Sequence, residues 1–193
     1  HSAFGSCSSL EKVEIPEGVS EIGQYVFSDC SNLKEVKLPE SLTTLGGMAF
    51  GGCGLKSVKI PANVKEVKDV WWEGGYRGPF YKCKNIENVT LGEMEKIPSR
   101  LLQDCSNLGK IIIPDSVKSI ENHSFANCEQ LQKIYLSDYV SRIDDNVFDN
   151  SPKTVFYCNY DSYATVYAIE HDILLVSTGN STGDVNKSIL DNN

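Results

Sequence analysis

The 193-residue chain is 40% hydrophobic and 23% charged, the balance of one compact domain or a short repeat array, which excludes disorder as its main state. Its net charge of −8 argues against duplex nucleic acid or anionic lipid as the main partner, because such binding draws on clustered Lys and Arg. No apolar run reaches the roughly 18 residues of a membrane span, so no membrane insertion is expected, and the opening residues His1 to Gly5 lack the blocks of a signal peptide, as if a targeting segment had been removed.

Taken in chain order, the cysteines at 7, 30, 53, 83, 105 and 128 are separated by 23, 23, 30, 22 and 23 residues, with a seventh at 158. Three residues before each of the first six stands Phe4, Phe27, Phe50, Phe80, Leu102 or Phe125, and Phe148 continues the count with Ser151 at the cysteine place. Leu or Ile follows the cysteine (Leu10, Leu33, Ile86, Leu108, Leu131, with Leu55 one place early). Next comes an alternating pair, such as Val36 and Leu38 or Ile111 and Ile113, which is a strand pattern. Pro16, Pro39, Pro61 and Pro114 end it, since proline has no N–H for a ladder. A second apolar pair closes each unit, as in Leu42 with Leu45 or Val117 with Ile120. About seven copies fit between His1 and Ser151. A unit of this size cannot bury its own apolar face, so neighbouring units must stack as a solenoid.

These residues resemble the BspA-like leucine-rich repeats, whose unit looks like A-F-x-x-C-x-x-L-x-x-I-x-I-P-x-x-V-x-x-I-G. The match runs from residue 1 to about 176, and the segment from Tyr157 to Leu175 is similar to the family's closing helix, with Tyr163, Ala164, Tyr167 and Ala168 at helical spacing and Asp161 or Ser162 able to cap the first turn. Gly92 and Ser137 in place of proline, and Leu102 in place of Phe, depart from the pattern. The resemblance implies an α/β leucine-rich repeat solenoid of about seven coils of 22–30 residues, with a parallel sheet on one face, short strands or 3-10 turns on the other, and little helix except a C-terminal cap. It also implies an extracellular or cell-surface location and binding rather than catalysis. The expected organisation is a solenoid over 1–157, a capping segment over 158–176 and a flexible polar tail over 177–193. Because Phe4 is the tail of a coil whose strand is missing, the chain reads as a monomeric fragment of a longer array.

Stacked coils place equivalent Cβ atoms roughly 4.8 Å apart, wider than the roughly 3.8 Å a disulfide needs, so the cysteine column is expected to be a buried ladder of free thiols. Cys158, outside the count, is the candidate surface thiol. Neither a cofactor nor a metal is expected, since no C-x₂-C spacing occurs and the three histidines are scattered, with His123 expected as a solvent-facing turn residue. No G-x-S-x-G elbow supports catalysis, so no enzyme activity is expected. A segment beginning at Asp184 opens like a calcium loop, but Ser188 and Ile189 fall where an oxygen ligand and glycine belong, which favours a linker.

Outward positions of the strand row are Glu14, Lys37, Lys59, Thr90, Ile112 and Tyr135. They change from charged to apolar along the axis, with Ile112 and Tyr135 expected to be exposed; a binding face and an ordinary solvated sheet are both open readings. The long interval carries more. Between Val67 and Phe80 lie twelve residues where other units have four, including both tryptophans, Trp71 and Trp72, with Tyr76 and Arg77. Insertions in repeats emerge as loops, and Trp, Tyr and Arg are the residues most enriched at hot spots. One Trp is expected to fold back over the core and the other to meet a partner. The candidate ligand-binding residues are therefore Trp71, Trp72, Tyr76, Arg77, Lys37, Lys59, Ile112 and Tyr135, and the expected function is adhesion to a protein or glycan on a host or neighbouring cell. A spacer carrying another domain is the alternative.

Overall fold

The computed structural model describes residues 2–178; His1, the calcium-loop-like segment and nearly all of the polar tail lie outside them. The chain runs β1 (Lys12–Glu14), β2 (Glu21–Ile22), β3 (Glu35–Lys37), β4 (Thr44–Gly46), β5 (Ser57–Ile60), β6 (Glu66–Lys68), β7 (Val70–Trp72) and β8 (Gly75–Arg77). It continues through β9 (Asn88–Leu91), β10 (Lys96–Ile97), β11 (Lys110–Ile112), β12 (Ser119–Ile120), β13 (Lys133–Tyr135), β14 (Arg142–Ile143), β15 (Val155–Cys158), α1 (Tyr163–Glu170) and β16 (Leu174–Ser177). Each coil thus supplies two short strands. One set pairs as β1-β3, β5-β9 and β11-β13-β15-β16, and the other as β2-β4-β6 and β10-β12-β14; every one of these ladders is parallel. The second set breaks between β6 and β10, where β7 and β8 stand apart as an antiparallel hairpin.

The interior is built of columns. Phe4, Phe27, Phe50 and Phe80 stack with centroids 5.3, 5.4 and 5.7 Å apart and near-parallel planes. Leu102 interrupts the column, and Phe125 with Phe148 resumes it at 5.7 Å. Beside it runs the cysteine column, whose role is now physical: Cys30, Cys53, Cys83 and Cys128 each donate an S–H bond to the carbonyl of Phe4, Phe27, Phe50 and Leu102, at 3.1, 3.1, 2.8 and 3.2 Å. Ser151, at the cysteine place, does the same to Phe125 at 2.7 Å. A small side chain with one donor suits the position: the carbonyls of Phe4, Phe27, Phe50 and Leu102 already accept a backbone bond from Cys7, Cys30, Cys53 and Cys105 N, and the thiol of the next coil adds a second donor to each. All seven cysteines are free thiols.

The expected surface thiol is corrected. Cys158 is fully buried beneath α1 with its sulfur 3.5 Å from Thr165 Oγ1, because the closing helix packs Ala164, Tyr167 and Ala168 onto β15; Cys7, at the open end of the column, is the exposed one. Burial pushes the Cys30, Cys53, Cys83, Cys105 and Cys128 thiols up, which suppresses the reactive thiolate. A thiol reagent, read by intact mass without reductant, should therefore modify Cys7 alone in the folded protein and all seven cysteines after denaturation. Modification of Cys158 in the fold, or three disulfides in the denatured chain, would contradict this packing.

Turns carry a second regularity. The residue before each cysteine place, Ser6, Asp29, Gly52, Lys82, Asp104, Asn127 or Asn150, has positive φ, a conformation that Asn, Asp and Gly adopt at least cost. Asn150 Nδ2 donates to Asn127 Oδ1 at 3.0 Å and Asn127 Nδ2 to Asp104 Oδ1 at 2.8 Å, a short amide ladder ending on a carboxylate. Asp104 Oδ2 is buried with no partner, and burial raises its pKa against the pull of the Asn127 hydrogen bond, Arg77 and Lys82. A carboxyl whose folded pKa is raised costs stability above that pKa and regains it as the pH falls through it. Asp104→Asn keeps the ladder acceptor and removes the charge. Its melting midpoint should exceed wild type at neutral pH, and the difference should vanish in acid; an equal gain at both pH values would show that the charge is not the cause.

Departures from the repeat have local reasons. A Cβ on Gly92 would lie 2.5 Å from the backbone nitrogen of Ala62, so the coils approach too closely there for proline or any side chain. Ser137 makes the same turn as the prolines, its carbonyl accepting from Val140 N as Pro114 O accepts from Val117 N. At the closing helix, Ser162 occupies the N-cap but its hydroxyl donates backwards to Asn159 O at 2.6 Å, so neither expected side chain caps the helix. His123 sits in a turn as expected, but its ring is half-buried against Asn146 and Asp149 rather than facing solvent.

Candidate binding hairpin

Val-Trp-Trp-Glu-Gly-Gly-Tyr-Arg is two short runs of strand-forming residues around a two-residue turn. Both central turn residues, Glu73 and Gly74, have positive φ (47° and 78°), the requirement of the tight hairpin turn whose twist matches paired strands. The flexible loop expected from the glycines is therefore an ordered hairpin, in which Val70 faces Arg77, Trp71 faces Tyr76 and Trp72 faces Gly75. It leaves the solenoid at Asp69 and returns at Gly78.

Its base is seated on glycine. A Cβ on Gly47 would come within 2.6 Å of Val70 N and 2.7 Å of Arg77 O, and one on Gly78 within 2.1 Å of Arg100 O. Gln24 Nε2 donates to Asp69 O at 3.1 Å, and Gln103 Oε1 accepts from Gly78 N at 3.1 Å. The hairpin is thus gripped from the coils on both sides.

Both indoles face solvent, Trp71 at 61% and Trp72 at 44% exposure, with Tyr76 at 49%. The expectation that one Trp folds back over the core is overturned: the columns already fill the interior, and Phe50 stacks on Phe80 without help from the insertion. Adjacent residues on a strand point to opposite faces. Trp71 meets Tyr76 edge-on at 5.1 Å, and Arg100 lies over the Tyr76 ring at 5.5 Å; Trp72 meets Tyr25 edge-on at 6.0 Å. Arg77 turns inward, its guanidinium over Tyr81 at 4.8 Å and its Nη2 donating to Glu73 O at 3.2 Å. Tyr81 and Lys82 hydrogen-bond the Glu73 carboxylate and hold it below the usual carboxylate range. Tyr25 and Arg100 were missed by sequence reasoning, although both stand two places before the phenylalanine position of their coils and so share a column with the hairpin's return.

The remaining candidates lie in the other strand set. The outward row pairs as read, Glu14 with Lys37, Lys59 with Thr90 and Ile112 with Tyr135. Lys37 is ion-paired to Glu14, and Lys59 to Glu40 at 2.9 Å. The hydrogen bond from Lys37 holds the exposed Glu14 carboxyl below its ordinary value. Ile112 and Tyr135 are half-buried rather than exposed, because Tyr135 leans on Tyr157 at 4.7 Å and Ile112 lies in a shallow groove with Val89, Leu91 and Pro114. Among the described residues no cluster of His, Cys, Asp and Glu has the makings of a metal site, and no helix is long and apolar enough to cross a membrane.

Parallel two-strand coils stacked on leucine, cysteine and phenylalanine columns define a leucine-rich repeat solenoid. The chain belongs to the BspA type leucine rich repeat family, six copies of which match over residues 1–74 and 76–164. Solved structures share the fold. A leucine-rich repeat protein from Bacteroides ovatus is 23% identical with a TM-score of 0.51, the match covering 81% of this chain and 51% of that one. The T. pallidum leucine-rich repeat protein is 24% identical with a TM-score of 0.50, over 80% of this chain and 58% of that one. A leucine-rich repeat protein from Eubacterium ventriosum is 21% identical with a TM-score of 0.53, over 72% and 42%. The matched segment spans about half the length of these proteins. No curated protein matches the chain.

Proposed function

We propose that this chain is a non-catalytic binding module of a secreted or surface-anchored bacterial protein, and that the hairpin meets a protein or glycan on a host or neighbouring cell. One observation carries the reading. Between residues 5 and 138, the exposed large apolar side chains are Trp71, Trp72 and Tyr76, all aromatic and all on one hairpin. Isolated exposed apolar residues need no explanation, but a concentration of rigid aromatic rings on a projecting element, in a stretch whose other large apolar side chains are buried or half-buried, is the surface of a contact. Family membership supports the surface location and the absence of catalysis.

A spacer role draws on the sheet face, where Lys12–Glu35, Glu14–Lys37 and Lys59–Glu40 pair across coils and leave a neutral, solvated row. The two readings separate on an array of extracellular-matrix proteins and glycans probed with wild type and with the Trp71→Ala, Trp72→Ala double variant. A binding module loses its signal in the double variant at an unchanged melting midpoint, whereas a spacer gives no signal with either protein.

A further inference from the structure

We infer that the hairpin recognises a neutral glycan, by stacking a sugar ring on the aromatic surface of Trp71 and Tyr76; the inference rests on the binding reading above and names its ligand class. The first ground is charge. Every cation bordering the aromatic surface is already engaged: Lys68 pairs with Glu21 at 2.9 Å, Arg100 with Asp69 at 2.8 Å, Lys82 with Glu73 at 3.2 Å, and Arg77 points inward onto Tyr81. A sulfated, phosphorylated or sialylated polymer would have to break one of these three ion pairs or draw Arg77 off Tyr81. A neutral ligand gives up nothing, and the paired groups still offer carboxylate acceptors and N–H donors to its hydroxyls.

The second ground is the kind of apolar surface. No exposed Leu, Ile, Val or Met accompanies the hairpin aromatics, whereas the closing helix and β16 expose Val166, Ile169, Leu174 and Val176. Protein contacts bury a contiguous, mixed apolar core under a polar rim. Isolated π-faces ringed by polar groups suit instead the axial C–H surface of a pyranose, whose edge is all hydroxyl. Arg100 lies over one side of the Tyr76 ring, whereas Trp71, edge-on to Tyr76 with planes at 79°, is 61% exposed and offers the larger open ring surface to such a ligand. Both side chains have only two rotatable bonds and sit on a paired hairpin gripped at its base, so little conformational freedom remains to be lost on binding.

The test is retention of the full chain on immobilised polysaccharides: neutral β-glucan, mannan and galactan against heparan sulfate and polysialic acid, each at low and high salt. At least one neutral polymer should retain wild type with no loss at high salt. Trp71→Ala and Tyr76→Ala should each weaken retention about tenfold, as loss of one stacked ring does, while Trp71→Phe keeps it and all three variants melt with wild type. Retention confined to the anionic polymers, or abolished by salt, overturns the inference. If no polysaccharide binds but a protein panel shows binding lost in the Trp71→Ala, Trp72→Ala variant, the glycan falls and the binding reading stands. Silence on both panels removes both.

Discussion

Truncating Phe50 to alanine should cost about 3 to 5 kcal/mol, the range of buried aromatic truncations. Phe50 is fully buried and stacks on two neighbours, Phe27 at 5.4 Å and Phe80 at 5.7 Å, so the change opens a hole shared by two coil interfaces. In a solenoid stability is carried by nearest-neighbour contacts, and loss at a central coil uncouples the coils on each side. The control is Phe4→Ala, whose ring is half exposed and stacks on one neighbour only, and whose midpoint should move far less. Urea melts followed by far-ultraviolet circular dichroism measure both. An unchanged Phe50→Ala midpoint would mean that the phenylalanine column does not hold the coils together.

The columns were legible in the sequence because each residue in them repeats at the coil period, and a position that recurs in every coil must face something that also recurs. Phe27, Cys53, Leu108 and Ile134 fall where the period places them. The reason for the cysteines was not legible, since a bond from a thiol to the carbonyl of the coil before is a fact of stacking and not of spacing. Cys158 was misjudged for a related cause. It lies outside the count, but β15 continues the strand row, with Tyr157 beside Tyr135, and α1 covers it. The stack then closes through Phe156 on Tyr167 at 6.1 Å, where the tyrosine hydroxyl donates to Asp144 O and Asp145 O, and a ring of the helix takes over the column's role.

At the hairpin the sequence was half legible. Its length marked it as a departure from the repeat, but the glycines hid the pairing, although two residues of turn between Trp-rich and Tyr-containing runs is a hairpin signal. What no single-coil pattern carries is the footing. Gly46 and Gly47 look like loose turn residues, yet the hairpin's base comes so close to Gly47 that any side chain would displace it. The neighbours Tyr25 and Arg100 come from coils on either side of the insertion, so only the stacking brings them to it.

Excising residues 70–77 should leave the fold intact and abolish binding. The cut leaves Lys68, Asp69, Gly78 and Pro79 between Val67 and Phe80, matching Gly46, Gly47, Met48 and Ala49 between Leu45 and Phe50. The chain ends to be joined are already close, because Val70 and Arg77 are a cross-strand pair, and such partners lie about 5 Å apart against 3.8 Å for adjacent residues. The bonds that tie this segment into the stack come from residues that stay: Gly47 N to Lys68 O at 2.7 Å, Met48 N to Gly78 O at 2.9 Å and Phe50 N to Pro79 O at 2.9 Å. What is removed touches the solenoid through Trp72 on Tyr25, Arg100 over Tyr76, Arg77 over Tyr81 and the Glu73 carboxylate on Tyr81 and Lys82, none of them part of the interior columns. The shortened loop also closes at a lower entropic cost. The excised protein should therefore melt within a few degrees of wild type, keep its circular dichroism spectrum, and give no signal on any ligand that wild type binds. An unfolded product would make the hairpin a clamp across the break between β6 and β10, and a folded product that binds as before would put the contact on the sheet face.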